Sequence, residues 1–167
     1  YLNNINDYGI TVENYNQNFN KIIDRSRNVA NKMSKGVHFL MKKNKIKVYE
    51  GFGKIKEDKI LEITNDKESF DISANNIIIA TGARSRDIES LKKDGEKILG
   101  YRDAMTLNKQ PNSMIIVGSG AIGIEFAYFY NSLGTDVTVV EFQDRIAPNE
   151  DHEISKELEK ILKKKNI

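Results

Sequence analysis

Residues 114–141, MIIVGSGAIGIEFAYFYNSLGTDVTVVE, decide the fold. Four apolar residues at 114–117 open this stretch and predict a buried β-strand. A glycine-rich turn at 118–123 then leads into a helix, and a second apolar strand at 137–140 ends on the acid Glu141. This order of strand, glycine turn, helix, strand and acid predicts a βαβ unit that binds a dinucleotide.

Each glycine of the turn has its own physical role. Gly118 lets the chain reverse sharply after the strand, because it has no Cβ to restrict φ and ψ. Gly120 allows the backbone to approach a pyrophosphate, and Gly123 allows the helix to pack closely on the strands. The N–H groups and the positive dipole end of the first helical turn would face the phosphates. The alternative is a glycine turn used only for packing, but the flanking strand, the helix and the terminal acid favour a dinucleotide site.

Glu141 predicts which dinucleotide is bound. It lies 18 residues after Gly123 (141 − 123), close to the spacing of about 20 residues found in such sites. A carboxylate there can accept both hydroxyls of an adenosine ribose and would repel a 2′-phosphate, which favours NAD over NADP. Arg145, four residues further on, either weakens that preference or is a solvated loop residue beside Asp144.

Composition argues against several other functions. The chain has 167 residues, of which 26 are basic and 24 acidic, and the net charge of +2 predicts no nucleic-acid binding. No apolar run approaches about 18 residues, so we expect no membrane span, and no signal-peptide pattern is present. The chain has no cysteine, and its two histidines, His38 and His152, are far apart in sequence, so we expect no metal site.

The residues before the glycine turn predict helix and short strands. Apolar residues recur at three- and four-residue steps over residues 14–44 and predict a long amphipathic helix, packed on a sheet rather than bound to a partner protein. Residues 1–13 predict a loop. Three short segments predict a small antiparallel β-meander: residues 46–50, 60–64 and 69–72. After the glycine unit, residues 151–165 predict a final helix.

Three consecutive isoleucines mark a further segment. Residues 76–80 predict a strand buried on both faces, as in a parallel sheet. The strand ends at Thr81 and Gly82, which places a hydroxyl and bare backbone at the carboxyl end of the strand, where α/β proteins bind ligands. The simpler alternative is a core strand followed by a turn. Residues 85–112 then form a polar connector of the kind found at domain boundaries.

Several segments together resemble a known family. NNIIIATGAR (75–84), SMIIVGSGAIGIEFA (113–127) and VTVVE (137–141) are similar to the flavin-dependent pyridine-nucleotide disulfide oxidoreductases. The resemblance continues through KKNKIKVYEGFGKI (42–55) and DHEISKELEKILKK (151–164), so it covers nearly the whole chain. It is closest to the members that oxidise protein-bound dihydrolipoyl groups.

The resemblance implies an α/β fold made of parts of two Rossmann-like domains that bind FAD and NAD(P), with the small antiparallel β-meander and the long amphipathic helix. Residues 1–110 would hold part of the FAD-binding domain and a connector, and residues 111–167 the first half of the NAD-binding domain. The implied cofactors are FAD and NAD. The implied FAD contacts are Gly53, Thr81, Gly82 and Ala83. The implied NAD contacts are Gly118, Ser119, Gly120, Ala121, Ile122, Gly123, Ile124, Glu125 and Glu141.

The same resemblance implies an activity and partners. The family passes electrons from dihydrolipoyl groups of 2-oxoacid dehydrogenase complexes through a disulfide and FAD to NAD. The implied partners are a lipoyl-bearing acyltransferase and a second copy in a homodimer, with no nucleic acid and no membrane, and the implied location is cytoplasmic. The family's redox cysteines precede this segment and its His–Glu pair follows it. We therefore predict no catalytic residue here and expect the chain to be an internal part of a longer protein.

Two other interpretations are open. The chain is alternatively part of another NADH-dependent FAD oxidoreductase, such as a ferredoxin or rubredoxin reductase or an NADH oxidase, because such enzymes share every motif seen here. The other alternative is a non-catalytic NAD-binding module, which would bind NADH but never flavin.

Overall fold

The computed structural model describes residues 2–167, with the side chains of all of these except residues 2–4 and 58. The described elements follow in this order: a 3-10 helix (Leu2–Tyr8), α1 (Phe19–Lys43), β1 (Phe52–Ile55), a 3-10 turn (Glu57–Lys59), β2 (Ile60–Thr64), β3 (Ser69–Ser73), α2 (Tyr101–Ala104), β4 (Ser113–Val117), α3 (Ala121–Ser132), β5 (Asp136–Val140) and α4 (His152–Lys163). The predicted α/β class is confirmed.

The elements form two compact units, which are described separately. One unit is made of residues 25–88, and the other of residues 2–24 together with 89–167. These units are defined by packing. The predicted division into an FAD-binding part, residues 1–110, and an NAD-binding part, residues 111–167, concerns cofactors and stays a prediction. Tyr1, which belongs to that first range, lies outside the described residues.

The unit of residues 25–88 contains the predicted antiparallel β-meander. β2 is the central strand and pairs antiparallel with β1 on one side and β3 on the other. Ile63 of β2 is buried. Lys56 follows β1, and its Nζ lies 2.9 Å from a carboxylate oxygen of Glu62 in β2 and 3.0 Å from one of Asp71 in β3. One ammonium therefore links all three strands on their exposed face.

The prediction for the first strand of this meander, residues 46–50, is wrong. That segment is irregular, and β1 begins at Phe52 instead. The connecting turn sets the pairing, because Lys56 N donates to Ile60 O at 2.8 Å. Pairing that starts from this turn reaches the end of β2 where Phe52 lies opposite Thr64, so no residue of β2 remains to pair with residues 46–50.

The prediction of a buried strand at residues 76–80 is also wrong for this chain. The segment is irregular, and the side chains of Ile78 and Ile79 are 89% and 71% exposed. A strand buried on both faces needs neighbouring strands and covering helices. In the sheets formed by residues 2–167, no strand pairs with this segment.

α1 confirms the predicted long amphipathic helix, although it begins at Phe19 and not near residue 14. From Val29 onward its apolar stripe is exposed, so the prediction that this face packs on a sheet is wrong there, whereas Phe19 at the start of the helix packs against the core around Tyr130. A helix face is buried only where another element covers it, and residues 76–80, predicted as part of a sheet, do not form a strand. The exposed members of the stripe are Val29, Met33, Val37 and Leu40.

The other unit contains the predicted βαβ motif. β4 and β5 pair in parallel along all five residues of each strand. α3 connects them, and the chain leaves this helix at Gly134, whose φ of 95° is the left-handed conformation typical of a residue after a helix. α3 packs against both strands. Ile115 on the opposite face of β4 is 71% exposed, and Met114 and Ile116 on the core face are partly buried, so the strand is covered on one face and not on both.

The core of this unit is aromatic and lies between α3 and the parallel strands. Ala127, Tyr130 and Val137 are buried in it. The partly buried side chains packed against them are Phe19, Leu107, Met114, Ile116, Phe126, Phe129, Val139 and Ile167. The Tyr130 hydroxyl donates to the carbonyl oxygen of Ala104 at the end of α2, at 2.5 Å. Burial raises the pKa of Tyr130, so the phenol keeps the proton that it donates.

The first and last elements of the described chain are helices. Asp151 caps α4, since its Oδ1 accepts from Glu153 N at 2.8 Å, and the predicted helix from residue 151 is confirmed. The predicted loop at residues 1–13 is wrong in part, because Leu2–Tyr8 form a 3-10 helix. Short 3-10 segments tolerate residues that disfavour a long α-helix. Among the described residues, no helix has the length and apolar character needed to cross a membrane.

Candidate dinucleotide-binding site

The glycine turn lies at the carboxyl ends of the two parallel strands. β4 ends at Val117, and Gly118 turns the chain with a φ of 102°, which L-residues with a side chain rarely adopt. Gly118 N donates to Val140 O at 2.8 Å, which extends the pairing of the two strands by one bond. Gly120 then precedes the first residue of α3, Ala121. The turn therefore places the N-terminus of a helix at the edge of the sheet where α/β proteins bind ligands.

The surroundings of Gly120 and Gly123 differ sharply. A Cβ on Gly123 would overlap the carbonyl oxygen of Gly118 and would lie 3.4 Å from a side-chain methyl of Ile116. A Cβ on Gly120 would meet no atom within 4 Å. Gly123 is thus required for the packing of α3 on β4, whereas the backbone at Gly120 is open on the side where a Cβ would project. A phosphate can approach that open backbone.

Glu141 is held by three hydrogen bonds, two from Ser119 in the glycine turn and one from Gln143 in its own loop. Its Oε2 accepts from Ser119 N at 2.8 Å and from Ser119 Oγ at 2.6 Å. Its Oε1 accepts from Gln143 N at 3.0 Å. An ionised carboxylate has about four acceptor positions, so these bonds occupy Oε2 and leave acceptor capacity on Oε1. The expectation that this carboxylate accepts both ribose hydroxyls stays a prediction.

The loop between β5 and α4 joins the same network. Ala147 N donates to Ser119 Oγ at 3.1 Å and lies 3.2 Å from Ser119 O. The Ser155 hydroxyl on α4 donates to Ala147 O at 3.1 Å. Ser119 and Ser155 are 0% and 1% exposed. Buried hydroxyls therefore connect the glycine turn to the loop and the loop to α4.

The hydrogen bonds to Glu141 stabilise its ionised form. The Ser119 hydroxyl makes the largest contribution, followed by Gln143 N and Ser119 N, and together they lower the pKa of Glu141 from 4.5 to about 2. Donors that point at a carboxylate favour its charged state. Glu141 is therefore a carboxylate at every pH at which the protein would meet a dinucleotide.

This lowered pKa predicts how stability changes with pH. A carboxyl group whose pKa is lower in the folded state contributes stability that is fully present above the unfolded pKa and is lost as pH falls through the folded pKa. We expect wild type to exceed Glu141→Gln in melting temperature by a constant margin above pH 4.5, and this margin to shrink as pH falls from 4.5 toward about 2. Calorimetric scans of both proteins across that range test this. A margin independent of pH would contradict the three-bond arrangement.

Arg145 makes its contacts within its own loop. Its NH2 donates to Pro148 O at 3.0 Å, and its NH1 lies 3.8 Å from Asp144. Its Nε is buried, with no hydrogen-bond partner among the described residues. The guanidinium thus stabilises its own loop and is partly buried, so it is not the solvated residue of the second alternative, and its effect on the preference for NAD stays a prediction.

The predicted NAD contacts lie together at one end of this unit, and the chemistry of the site fits NAD. Open backbone at Gly120 and the start of α3 suit a pyrophosphate, and the ionised Glu141 suits a ribose hydroxyl and disfavours a 2′-phosphate. The exposed members of the set are Gly120, Ala121, Ile122 and Glu125. Their roles in binding remain predictions.

The predicted FAD contacts do not form a recognisable site in this structure. Gly53 lies in β1 opposite Ile63. Thr81, Gly82 and Ala83 are exposed and irregular, and a Cβ on Gly82 would meet no atom within 4 Å. The geometry therefore does not show how this chain would hold a flavin, and the FAD contacts stay a prediction.

Sequence reasoning missed two parts of the site. Ser119 was predicted as a cofactor contact, but its side chain bonds to Glu141 and Ala147. The role of Ala147 had no signal in the sequence, because an alanine with a φ of 44° is uncommon. The sequence signal for Ser119 was its position between two glycines of the turn. In the structure its buried hydroxyl reaches Glu141, the residue after β5.

The comparison with known families agrees with this site. Residues 6–167 match the family of pyridine nucleotide-disulphide oxidoreductases. The chain belongs to that family, as its motifs predict.

Two named relatives within this family are dihydrolipoyl dehydrogenases. The dihydrolipoyl dehydrogenase of Bacillus subtilis is 41% identical over 169 residues, which are 96% of this chain and 36% of that protein. The dihydrolipoyl dehydrogenase of Chlorobaculum parvum is 40% identical over 165 residues, 98% of this chain and 35% of that protein. The chain therefore spans about a third of the length of the curated relatives it matches.

Solved structures show the same fold. LpdA of Mycobacterium tuberculosis matches with a TM-score of 0.81 and 28% identity, over 93% of this chain and 35% of that one. The copper(II) complex of the HOCl-induced flavoprotein disulfide reductase RclA of Escherichia coli matches with a TM-score of 0.70 and 25% identity, over 89% of this chain and 34% of that one.

Proposed function

We propose that this chain is the segment of a dihydrolipoyl dehydrogenase that contributes the first half of its NAD-binding domain and part of its FAD-binding domain. The observation that carries the NAD assignment is the ionised Glu141 beside the open glycine turn at the start of α3. The relatives, all about 40% identical across nearly the whole chain, carry the choice of enzyme. In this proposal the whole enzyme oxidises dihydrolipoyl groups and reduces NAD, and FAD, when bound, supplies the two-electron redox chemistry between them.

The part played by these residues is to bind and orient NAD. The first turn of α3 offers backbone N–H groups without intrahelical acceptors, which can bind the pyrophosphate. Glu141 accepts a hydrogen bond from the adenosine ribose, and its charge rejects a 2′-phosphate. The chain contains no cysteine, so in this proposal the redox disulfide comes from residues outside these 167.

The partners and the location follow from the same proposal. The substrate is the dihydrolipoyl arm of the acyltransferase in a 2-oxoacid dehydrogenase complex, and the enzyme acts as a cytoplasmic homodimer. The names of the relatives support the choice of substrate and complex, and the dimer and the location are further parts of the proposal. Size-exclusion chromatography with light scattering on the full natural chain tests the dimer, and a monomer at micromolar concentration would contradict it.

A turnover assay separates this proposal from its alternatives. We expect the full natural chain to carry bound flavin and to reduce NAD, but not NADP, when dihydrolipoamide is supplied. Oxidation of NADH by oxygen with no response to lipoamide would instead indicate an NADH oxidase. Binding of NADH by a protein that never carries flavin would indicate the non-catalytic module.

Replacing Glu141 by alanine tests the NAD site itself. We expect NADH affinity to fall between a few-fold and a hundredfold, equivalent to about 1–3 kcal/mol, because a charged hydrogen-bond acceptor for the ribose is lost. NADPH affinity should change less, since the repelling charge disappears as well. Titration calorimetry with both dinucleotides measures these effects.

The matched control for that variant is Glu159→Ala. Glu159 is an acid on α4 that pairs with Lys163 at 2.6 Å, and removing it deletes one negative charge away from the glycine turn. NADH affinity should stay within about twofold of wild type, since exposed ion pairs contribute little. Equal affinities in wild type and Glu141→Ala would remove Glu141 from the site.

A further inference from the structure

The hydroxyl of Ser119 occupies a defined place between the acid and the loop that follows it. Ser119 is fully buried. Its Oγ lies 2.6 Å from Oε2 of Glu141 and 3.1 Å from Ala147 N. An N–H can only donate, so Ala147 N uses the acceptor side of the hydroxyl. The single hydroxyl proton is therefore directed to Glu141.

The two hydrogen bonds from Ser119 both go to the same oxygen of the Glu141 carboxylate. Oε2 accepts from both the backbone N–H and the hydroxyl of Ser119. Oε1 accepts from Gln143 N. The acceptor capacity left for a ligand thus lies on Oε1, and the rotation of the carboxylate is fixed by the residue between the first two glycines of the turn.

We infer that Ser119 is a positioning residue for dinucleotide binding: its hydroxyl holds Oε2 of Glu141 so that Oε1 faces the adenosine ribose. Ser119 acts through Glu141 and through no contact of its own side chain with the ligand. The inference rests on the proposed function, since it assumes that Glu141 meets a ribose. A glycine turn can form without a serine at position 119, so the proposed role concerns the hydroxyl itself.

The network supplies a matched comparison in Ser155. Its hydroxyl is also buried and also contacts Ala147, but it bonds to the carbonyl oxygen of that residue and makes no bond to Glu141. Ser119→Ala and Ser155→Ala each delete one buried hydroxyl from the same network. Only the first deletes a donor to the acid.

A double-mutant cycle on NADH affinity tests the inference in the full natural chain, with titration calorimetry as the measurement. We expect Ser119→Ala to weaken NADH binding roughly tenfold, the scale of one hydrogen bond to a charged group. In a Glu141→Ala background the same change should alter affinity by less than about twofold, because Ser119 then has no acid to orient. Ser155→Ala should stay within about twofold of wild type.

The pH profile of NADH affinity gives a second measurement that a purely structural role would not move. The groups that lower the pKa of Glu141 are the Ser119 hydroxyl first, then the backbone N–H groups of Gln143, Ser119 and Phe142. Removing the hydroxyl should therefore shift the loss of NADH affinity in acid to higher pH. Ser119→Gly, which also lacks the hydroxyl and keeps the backbone donor, repeats the test if the alanine variant folds poorly.

The outcomes are distinct from those that test the proposed function. If wild type binds no NADH, the proposed function fails. If NADH binds and Glu141→Ala weakens it, but Ser119→Ala does not, the positioning role is wrong and the NAD site remains. Additive losses in the double variant, or an equal loss in Ser155→Ala, would likewise overturn the role of Ser119, because either result shows an effect that does not pass through Glu141.

Discussion

Replacing Gly123 by alanine is expected to destabilise the βαβ unit by roughly 3 kcal/mol or more and to reduce NADH affinity by at least about tenfold. The added Cβ would overlap the Gly118 carbonyl oxygen. Overpacking commonly costs about 1–3 kcal/mol when side chains can adjust. Here the obstacle is backbone, and it belongs to a turn whose φ of 102° already needs glycine. Either α3 moves away from β4 or the turn changes shape, and both displace the start of α3 from Glu141.

Gly120→Ala is the control for that variant, because it adds the same methyl group at the preceding glycine of the turn, three residues earlier. Gly120 has a φ of −66° and open space where the Cβ would lie, so alanine should fit without a clash and cost about 1 kcal/mol, because alanine is a poorer N-cap residue than glycine. If a pyrophosphate binds against this backbone, NADH affinity should still fall. The pair therefore separates folding from binding.

Hydrogen exchange of the α3 amides in the full natural chain measures the stability of this unit alone, and titration calorimetry measures NADH binding. Much faster exchange in Gly123→Ala than in Gly120→Ala is the expected pattern. Equal protection in the two variants would show that the helix does not need Gly123 to approach the turn.

The sequence was sufficient to predict the βαβ unit because its signals are local. The apolar strands, the glycine turn and Glu141 each act on neighbouring backbone, and all of them are found where they were expected. Parallel pairing then follows, because a strand, helix and strand in succession can bury the helix against the sheet in few other ways.

The sequence was insufficient where burial depends on partners. Residues 76–80 have the composition of a buried strand, but composition cannot provide the neighbouring strand, and Ile78 is exposed. The same reason applies to the exposed stripe of α1. The bond from Ala147 to Ser119 was unpredictable in another way, since it depends on one unusual backbone conformation in a loop.

Replacing Tyr130 by alanine should reduce the stability of the same unit by about 3–5 kcal/mol, the range for deleting a buried aromatic ring. Tyr130 is 0% exposed. Its ring centroid lies 5.1 Å from that of Phe129 and 6.2 Å from those of Phe19 and Phe126. One side chain thus contacts the start of α1 and two positions of α3, so its removal leaves a cavity that several elements would have to move to fill.

The phenol adds a second, separable contribution. The Tyr130 hydroxyl donates to Ala104 O, and Tyr130→Phe keeps the ring while leaving that carbonyl without this donor. We expect Tyr130→Phe to lose about 1–3 kcal/mol, the penalty for an unsatisfied buried polar group. The hydrogen-exchange measurement on α3 distinguishes the two variants. The exposed Tyr128, on the same helix, is the matched control.

The order of these losses tests which interaction holds α2 to the core. A loss in Tyr130→Phe close to that in Tyr130→Ala would mean that the bond to Ala104, and not ring packing, dominates. A loss below about 0.5 kcal/mol in Tyr130→Phe would mean that water replaces the phenol at the Ala104 carbonyl. Tyr128→Ala should stay within about 1 kcal/mol of wild type, because its ring is 52% exposed and its neighbour Lys165 lies 5.2 Å from the ring centroid. A larger loss in Tyr128→Ala would mean that contacts on the exposed face of α3 also stabilise the helix. The aromatic cluster around Tyr130 would then not be sufficient to explain how α3 is held against the parallel strands.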